Sequence, residues 1–494
     1  GDHRDLHLSL RRQRQMCIRD RVSWSAVINV QPSKKVTSLH AQPVTFPRPL
    51  CKFINMRLWS NAYCECQLEH INMKTTTSWI LLAVLTVPLQ CVELPAGESD
   101  TNHAFPLLQY EVKTQVVLQH KDKTFFWFHP RVAVIRDNGD TQIPPLVMTL
   151  QKHLIVSDHY SGLYAMHSND LGRTWTGPEQ VPALDWVRKK DVDISVIDVT
   201  PGWHPHKQKI IAVGAQVRYN HGGKQLEDVE RSHQTSYSVY DPQSGQWTKW
   251  KRLELPNLKQ FNFARSACAQ WLVEPDGSVL LPFYHGIDSP HPRSASVLRC
   301  AFDGEELKYL GHGTEMHQGT FRGYTEPSII KYHGRYFLTI RSDDSAWVTV
   351  SKDGLTYPPP KRWTFDDGQE LGSYNTQQHW LAHSDGLLLT YTRRGANNDH
   401  IFRNRAPLFI AQVDPDKLHV IRSTERVLIS NRLAPLGNFG ATAISPDESW
   451  VTVAEFVTPE AYDRGAKGCL YICLLYTSDA ADEGLGVDLG GRRI

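Results

Sequence analysis

From about residue 105 the chain alternates short apolar runs with turn residues, and no long helical period interrupts them. Residues 321–341 (FRGYTEPSIIKYHGRYFLTIR) are representative. Residues 327–332 form one apolar run, His333-Gly334 a turn, and residues 335–340 a second β-rich run, the pattern of a hairpin. Its strands run antiparallel, so its outer ends meet. Glu326, before the first strand, and Arg341, closing the second, are therefore expected side by side.

The same turn recurs between apolar runs at Asn138-Gly139, within 201–205, and at Asp276-Gly277, His333-Gly334, Asp385-Gly386 and Asp447-Glu448. A second class interleaves with it at Asp170-Leu171-Gly172, 241–245, Asp303-Gly304, Asp353-Gly354 and 414–416. Each unit then reads strand, turn, strand, loop, strand, turn, strand, one four-stranded blade. The fold class predicted is all-β, a six-bladed β-propeller over residues 105–468 forming one domain, with the last blade truncated in its outer half. Residues 110–118 (YEVKTQVVL) can supply the outer strand that closes the ring, and 470–475 (LYICLL) are apolar enough to fill another. A seven-bladed ring is the alternative, because the repeat near 201–205 is the weakest.

The termini read differently. Residues 1–72 carry no periodic pattern and are read as non-native upstream sequence. Residues 11–21 and 474–491 resemble translated sequencing-adaptor read-through, and 469–494 are read as an artefactual tail. Met73 with Lys74 and the apolar run 79–89 predicts a signal peptide over 73–96, too short to span a bilayer. Pro88 and Gln90 make a poor context for lipid attachment at Cys91. This predicts a secreted or periplasmic protein without a membrane span. The formal charge of +2 implies no field for nucleic acid. Of nine cysteines only Cys268 and Cys300 fall in the core before Cys469, without zinc spacing, so no metal or cofactor is expected. Those two can form a disulfide or remain buried thiols.

Residues 168–175 have the form S-x-D-x-G-x-T-W, and 351–357 carry a reduced copy. Asp170 can accept backbone N–H groups within the turn, Gly172 can take positive φ, and Trp175 can pack back on the blade. These turns act as structural staples on the outside of the ring.

With this Asp box, the repeats and the Glu326/Arg341 pair in view, the chain resembles the sialidase (neuraminidase) superfamily, closest to bacterial sialidase-like proteins with BNR repeats, over about residues 125–457. The resemblance implies three arginines that grip a substrate carboxylate, a Tyr nucleophile paired with a Glu, an Asp acid/base and a late Glu orienting the first arginine. It assigns Glu326 as the base, Arg341 and Arg405 as the second and third arginines, Glu455 as the late Glu and Asp158 as acid/base. For the first arginine, counting back from Gly139 gives His129, whereas Arg131 has the right chemistry and is preferred. Independently of the family, several arginines at matching strand ends select an anionic ligand.

One position departs. The tyrosine should open the first strand of blade six, where the chain reads Gly437-Asn438-Phe439-Gly440-Ala441-Thr442. Tyr324 and Tyr374 are substitute phenols, and His379 and His400 lie near the same mouth. His and Tyr beside a carboxylate-binding arginine would also equip a β-eliminating uronate lyase. The functions carried forward are an exo-α-sialidase-type glycoside hydrolase, a lyase or hydrolase for uronate-containing glycans, and a non-catalytic glycan-binding propeller. The partner expected is a glycan ending in sialic acid or uronate, bound by a monomer.

Overall fold

A computed structural model of the protein describes residues 106–136, 143–155, 158–457, 459–463 and 465–477. The expectations for 1–72, for a signal peptide at 73–96, for the Asn138-Gly139 turn and for the tail beyond 477 lie outside the described residues. Among the described residues no helix is long and apolar enough to cross a membrane.

Six antiparallel sheets follow one another along the chain. From the axis outwards, blade one is Phe126–Val134, Leu146–His153, Tyr160–Ser168 and Thr176–Gln180. Blade two is built on Asp193–His204, Lys209–Tyr219 and Thr235–Asp241. Blade three has a broken inner strand, Phe263–Arg265 and Leu272–Val273, followed by Val279–Gly286, Ser294–Phe302 and Leu307–His312. Blade four is Thr325–Tyr332, Arg335–Arg341, Ala346–Ser351 and Lys361–Arg362. Blade five is His379–His383, Gly386–Tyr391, Leu408–Asp414 and His419–Val420. The region near Pro201 thus belongs to one full blade, and the ring has six blades rather than seven.

Blade six corrects two expectations. Its strands are Gly440–Ala443, Glu448–Ala454, Cys469–Thr477 and, outermost, Tyr110–Gln119. The blade is therefore not truncated, and 469–477 are not a loose tail: Leu470, Ile472, Cys473 and Leu475 are fully buried. Alternation decides this. Leu470, Ile472 and Leu474 face blade one while Cys469, Tyr471, Cys473 and Leu475 face blade five, so both sides of the strand are apolar. The amino-terminal strand pairs with it from Tyr110↔Thr477 to Gln119↔Cys469 and closes the ring. Joining the strands 110–119 and 469–477 in one sheet leaves no open edge between first and last blades.

The 168–175 turn fastens blade one to blade six. Asp170 accepts from Thr174 N (2.9 Å), Thr174 Oγ1 (2.6 Å) and Ser168 Oγ (2.8 Å), which holds its carboxyl down at about 2. Gly172 adopts φ +73° and its Cβ position is taken by Trp450 of blade six. Cys268 and Cys300 are buried free thiols, not a disulfide.

The innermost strands carry a second regularity. In blades one, two and four the pairing slips between Phe128 and Arg131, Ile197 and Thr200, and Thr325 and Ser328. The residue at each slip has left-handed backbone: His129 (φ 53°), Asp198 (φ 58°) and Glu326 (φ 44°). In blade three Cys268 (φ 54°) stands at the break in the inner strand. A bulge of this kind re-aims a side chain that would otherwise follow the strand's alternation. Beyond the bulges the inner strands enclose a channel of about 520 Å³, lined by Arg131, Trp271, Lys331 and His379 among others. Gln270 reaches across its upper end, donating to Trp380 O (2.9 Å) and Ala441 O (3.1 Å), so blades three, five and six are tied beneath the bulge residues.

Candidate functional site

The hairpin of blade four builds the first part of the site. Thr325 pairs with Arg341, so the following residue, Glu326, is turned by the bulge toward the guanidinium. Arg341 Nη1 lies 2.5 Å from Glu326 Oε1, with the two side chains 7% and 13% exposed. Burial pushes the Glu326 carboxyl up, but Arg341, and then Arg405 and Arg322, more than offset it and hold it below the usual range. Glu326 is thus a carboxylate at neutral pH, and its Oε2 has no partner among the described residues.

Asn375 gathers the guanidiniums. Its Oδ1 accepts from Arg341 Nη2 (2.7 Å) and Arg322 Nη2 (2.9 Å), and its carbonyl accepts from Arg405 Nη2 (2.7 Å). Left-handed backbone (φ 48°) and an N–H bond to Ser342 O (2.8 Å) fix that orientation. Arg322 is further held by Asp343, with Nε to Oδ2 at 2.9 Å. Among the described residues Arg405 has no carboxylate in ion-pair contact. Burial, then repulsion from Arg403 and Arg341, lowers its guanidinium to about 9. Gly437 makes room for it: a Cβ there would lie 2.3 Å from Arg405 Cδ. Two carboxylates, Glu326 and Asp343, face three guanidiniums, so the cluster carries an excess positive charge, the electrostatic condition for taking up an anion.

The neighbouring blades contribute further charged groups that act on Glu326 and the arginines. His129 Nε2 is 3.0 Å from Asp198 Oδ1. Burial, then the charge on Glu326, raises the Asp198 carboxyl to about 6, while Arg265 and Arg131 oppose the shift. Arg265 pairs across the sheet with Tyr284, a buried phenol raised to about 12 by burial and influenced by Arg265 and then Glu326. Asp158, in the loop between the second and third strands of blade one, is exposed and acts electrostatically on both Asp198 and Arg405. Its carbonyl is pinned by Tyr219 Oη (2.8 Å).

Other expected site residues stand elsewhere. Tyr324 is 3% exposed and packs with Ile329, Leu338 and Trp347 between blades three and four, so it is no substitute phenol for Glu326. Tyr374 donates to Asn404 Oδ1 (2.7 Å) beneath Arg394. Glu455 accepts from Lys467 N, Cys469 N and Tyr471 Oη, fastening the third strand of blade six, and the arginine beside it is Arg432 (3.9 Å) rather than Arg131. His379 is buried, close to Ser328 Oγ (3.1 Å) and edge-on to Phe439, and it lines the channel beneath the bulges. His400 is exposed. Of the alternatives for the first arginine, the bulge gives His129 the place equivalent to Glu326, whereas Arg131 donates to Val199 O (3.2 Å) at the head of the channel. Phe439, where a tyrosine was sought, is fully buried.

Sequence reading missed Arg322, Asn375, Asp198, Arg265 and Tyr284. Aligning the inner strands on their bulges would have put Asp198 and Cys268 in register with Glu326. Arg322 lies four residues before Glu326 in the segment that drew attention first.

Neither a family model nor a curated protein matches the sequence. Solved structures do. A protein of unknown function from Dyadobacter fermentans aligns over 74% of this chain and 99% of its own, with a TM-score of 0.51 and 14% identity. Trypanosoma rangeli sialidase aligns over 76% of this chain and 61% of its own, at 0.52 and 14%. The same enzyme captured as a covalent intermediate with 2,3-difluorosialic acid gives 0.51 and 13%, over 74% of this chain and 59% of its own. The chain has the sialidase-like propeller fold. At this identity the likeness shows the architecture alone.

Proposed function

We propose that this sialidase-like propeller is an exported glycosidase that removes a terminal carboxylate-bearing sugar, of the exo-α-sialidase type. The observation that carries the reading is the convergence of Arg322, Arg341 and Arg405 on Asn375 beside Glu326. Guanidinium groups fixed in this way present parallel N–H donors to a carboxylate, and the site's burial strengthens each contact. Arg341 and Arg405 retain buried Nε–H groups without partners among the described residues.

In this reading the arginines bind and orient the sugar carboxylate. Asp158, exposed at the mouth, donates the proton to the leaving oxygen. Glu326 remains ionised and takes a proton from the attacking group. The phenol within its field is Tyr284, which replaces Tyr324 and Tyr374 as the candidate nucleophile; attack by Tyr284 gives retention, and attack by water gives inversion. Phe439 favours a second reading, a glycan-binding propeller with the same clamp and no turnover. Incubation with sialylated and uronate-rich glycans separates them. The hydrolase reading expects free sialic acid. Ultraviolet-absorbing unsaturated ends would establish a uronate lyase instead, and binding without either product the second reading.

A further inference from the structure

The bulge residues of three successive blades bring three different donor types together. A ring nitrogen of His129, an Asp198 carboxylate oxygen and Cys268 Sγ all lie within 4.8 Å of one another, with Nε2 the nitrogen turned to Asp198 Oδ1 (3.0 Å). They come from equivalent places, each in left-handed backbone, and Cys268 N donates to Asp198 O (3.0 Å), which locks two of the bulges together. His129 is 1% exposed, and among the described residues neither ring nitrogen has a well-aligned hydrogen-bond partner. An imidazole so deeply buried is normally satisfied.

We propose that His129 Nε2, Asp198 and Cys268 Sγ bind a thiophilic divalent cation of the Zn²⁺ class. Mixed nitrogen, oxygen and sulfur donors suit zinc and its first-row neighbours rather than calcium or magnesium. Ligands about 2.0–2.3 Å from a tetrahedral zinc stand roughly 3.3–3.7 Å apart, so the trio needs to adjust by about 1 Å, within side-chain reach. Gln151 is the residue placed to serve as a second shell. Gln151 Nε2 donates to Ser161 O (2.7 Å) and Val196 O (3.1 Å), and the amide also interacts with the His129 ring. Its Oε1 is therefore the atom left to receive the Nδ1–H, the arrangement that fixes the tautomer of a ligating histidine. Arg131 and Arg265 act electrostatically on Asp198 and oppose a cation. Ligation answers this by releasing the Cys268 thiol proton to solvent, so that thiolate and carboxylate together neutralise the ion. The inference does not rest on the glycosidase reading, since it concerns ion binding and not turnover.

The test is titration of the metal-free full-length protein with Co²⁺, read by absorption. One ion per chain is expected, with a thiolate-to-cobalt charge-transfer band that Zn²⁺ displaces. The chain's other cysteines make Cys268→Ser the deciding variant: the band should vanish while the far-ultraviolet circular dichroism is kept. His129→Gln should weaken Co²⁺ binding at least about tenfold. No band in the wild type, or a band that survives Cys268→Ser, overturns the proposal. Should serine at 268 prevent folding, unchanged Co²⁺ affinity in folded His129→Gln overturns it equally, and the tenfold loss supports it.

Discussion

At the scale of single residues, the site depends on how a few backbone positions aim long side chains. Gly437 leaves the space that Arg405 Cδ occupies, and Asn375 holds Arg405 by its carbonyl. Gly437→Ala should therefore displace Arg405 and weaken binding of a carboxylate sugar with little loss of melting temperature; equal affinity for glycine and alanine forms would contradict the packing argument. Arg405→Ala should lower kcat/KM by about 2–5 kcal/mol of transition-state binding, since it deletes a buried charge-assisted contact. Steady-state kinetics on whichever glycan is turned over checks this, and unchanged kcat/KM would remove Arg405 from the clamp. Glu326, Arg341, Arg405 and Asp158 were legible because each lies at a strand end or in a loop that the repeats locate. Asn375 was not, because its role needs a left-handed backbone and both of its oxygens, neither of which side-chain chemistry announces. Asp198 and Cys268 were hidden for a related reason: their register with Glu326 is set by bulges, which break the alternation used to read strands.

At the scale of elements, the hairpin turns and the closing strand at 110–118 were readable from alternation and turn residues. The third strand of blade six was misread because its sequence resembles a familiar artefact, and resemblance overruled an apolar run on both faces. The energetic consequence is direct. Ile472 is fully buried among Met148, Trp450 and Leu470 in the layer between blades six and one. Ile472→Asp should destabilise the protein by more than about 3 kcal/mol, as an unpaired charge in an apolar layer. Chemical denaturation measures it, and a silent substitution would mean that the strand is dispensable.

At the scale of the whole molecule, burial governs the response to pH. Burial lowers the imidazoles of His129, His153, His233 and His379, those of His153 and His233 to about 3. The unfolded chain binds those protons from about pH 6.5 downwards while the fold excludes them, so stability falls as pH falls through that point. Each histidine held near 3 should contribute a loss on the order of 2 kcal/mol by pH 5. Asp198, raised to about 6, works in the opposite sense: it takes up a proton on folding between about pH 4 and 6, so its share of stability grows on acidification. The deeply buried histidines outweigh Asp198, so the melting temperature should drop steeply below pH 6.5, and a flat profile to pH 5 would contradict the burial of these rings.

Carboxylate recognition by the arginine cluster beside Glu326 is open to direct measurement. Isothermal titration of the wild-type protein with N-acetylneuraminic acid and, separately, with its methyl ester tests this without requiring turnover. The acid should bind at least about tenfold more tightly than the ester, because esterification removes the charge and one acceptor that the guanidinium cluster engages. Equal affinities for acid and ester would contradict it.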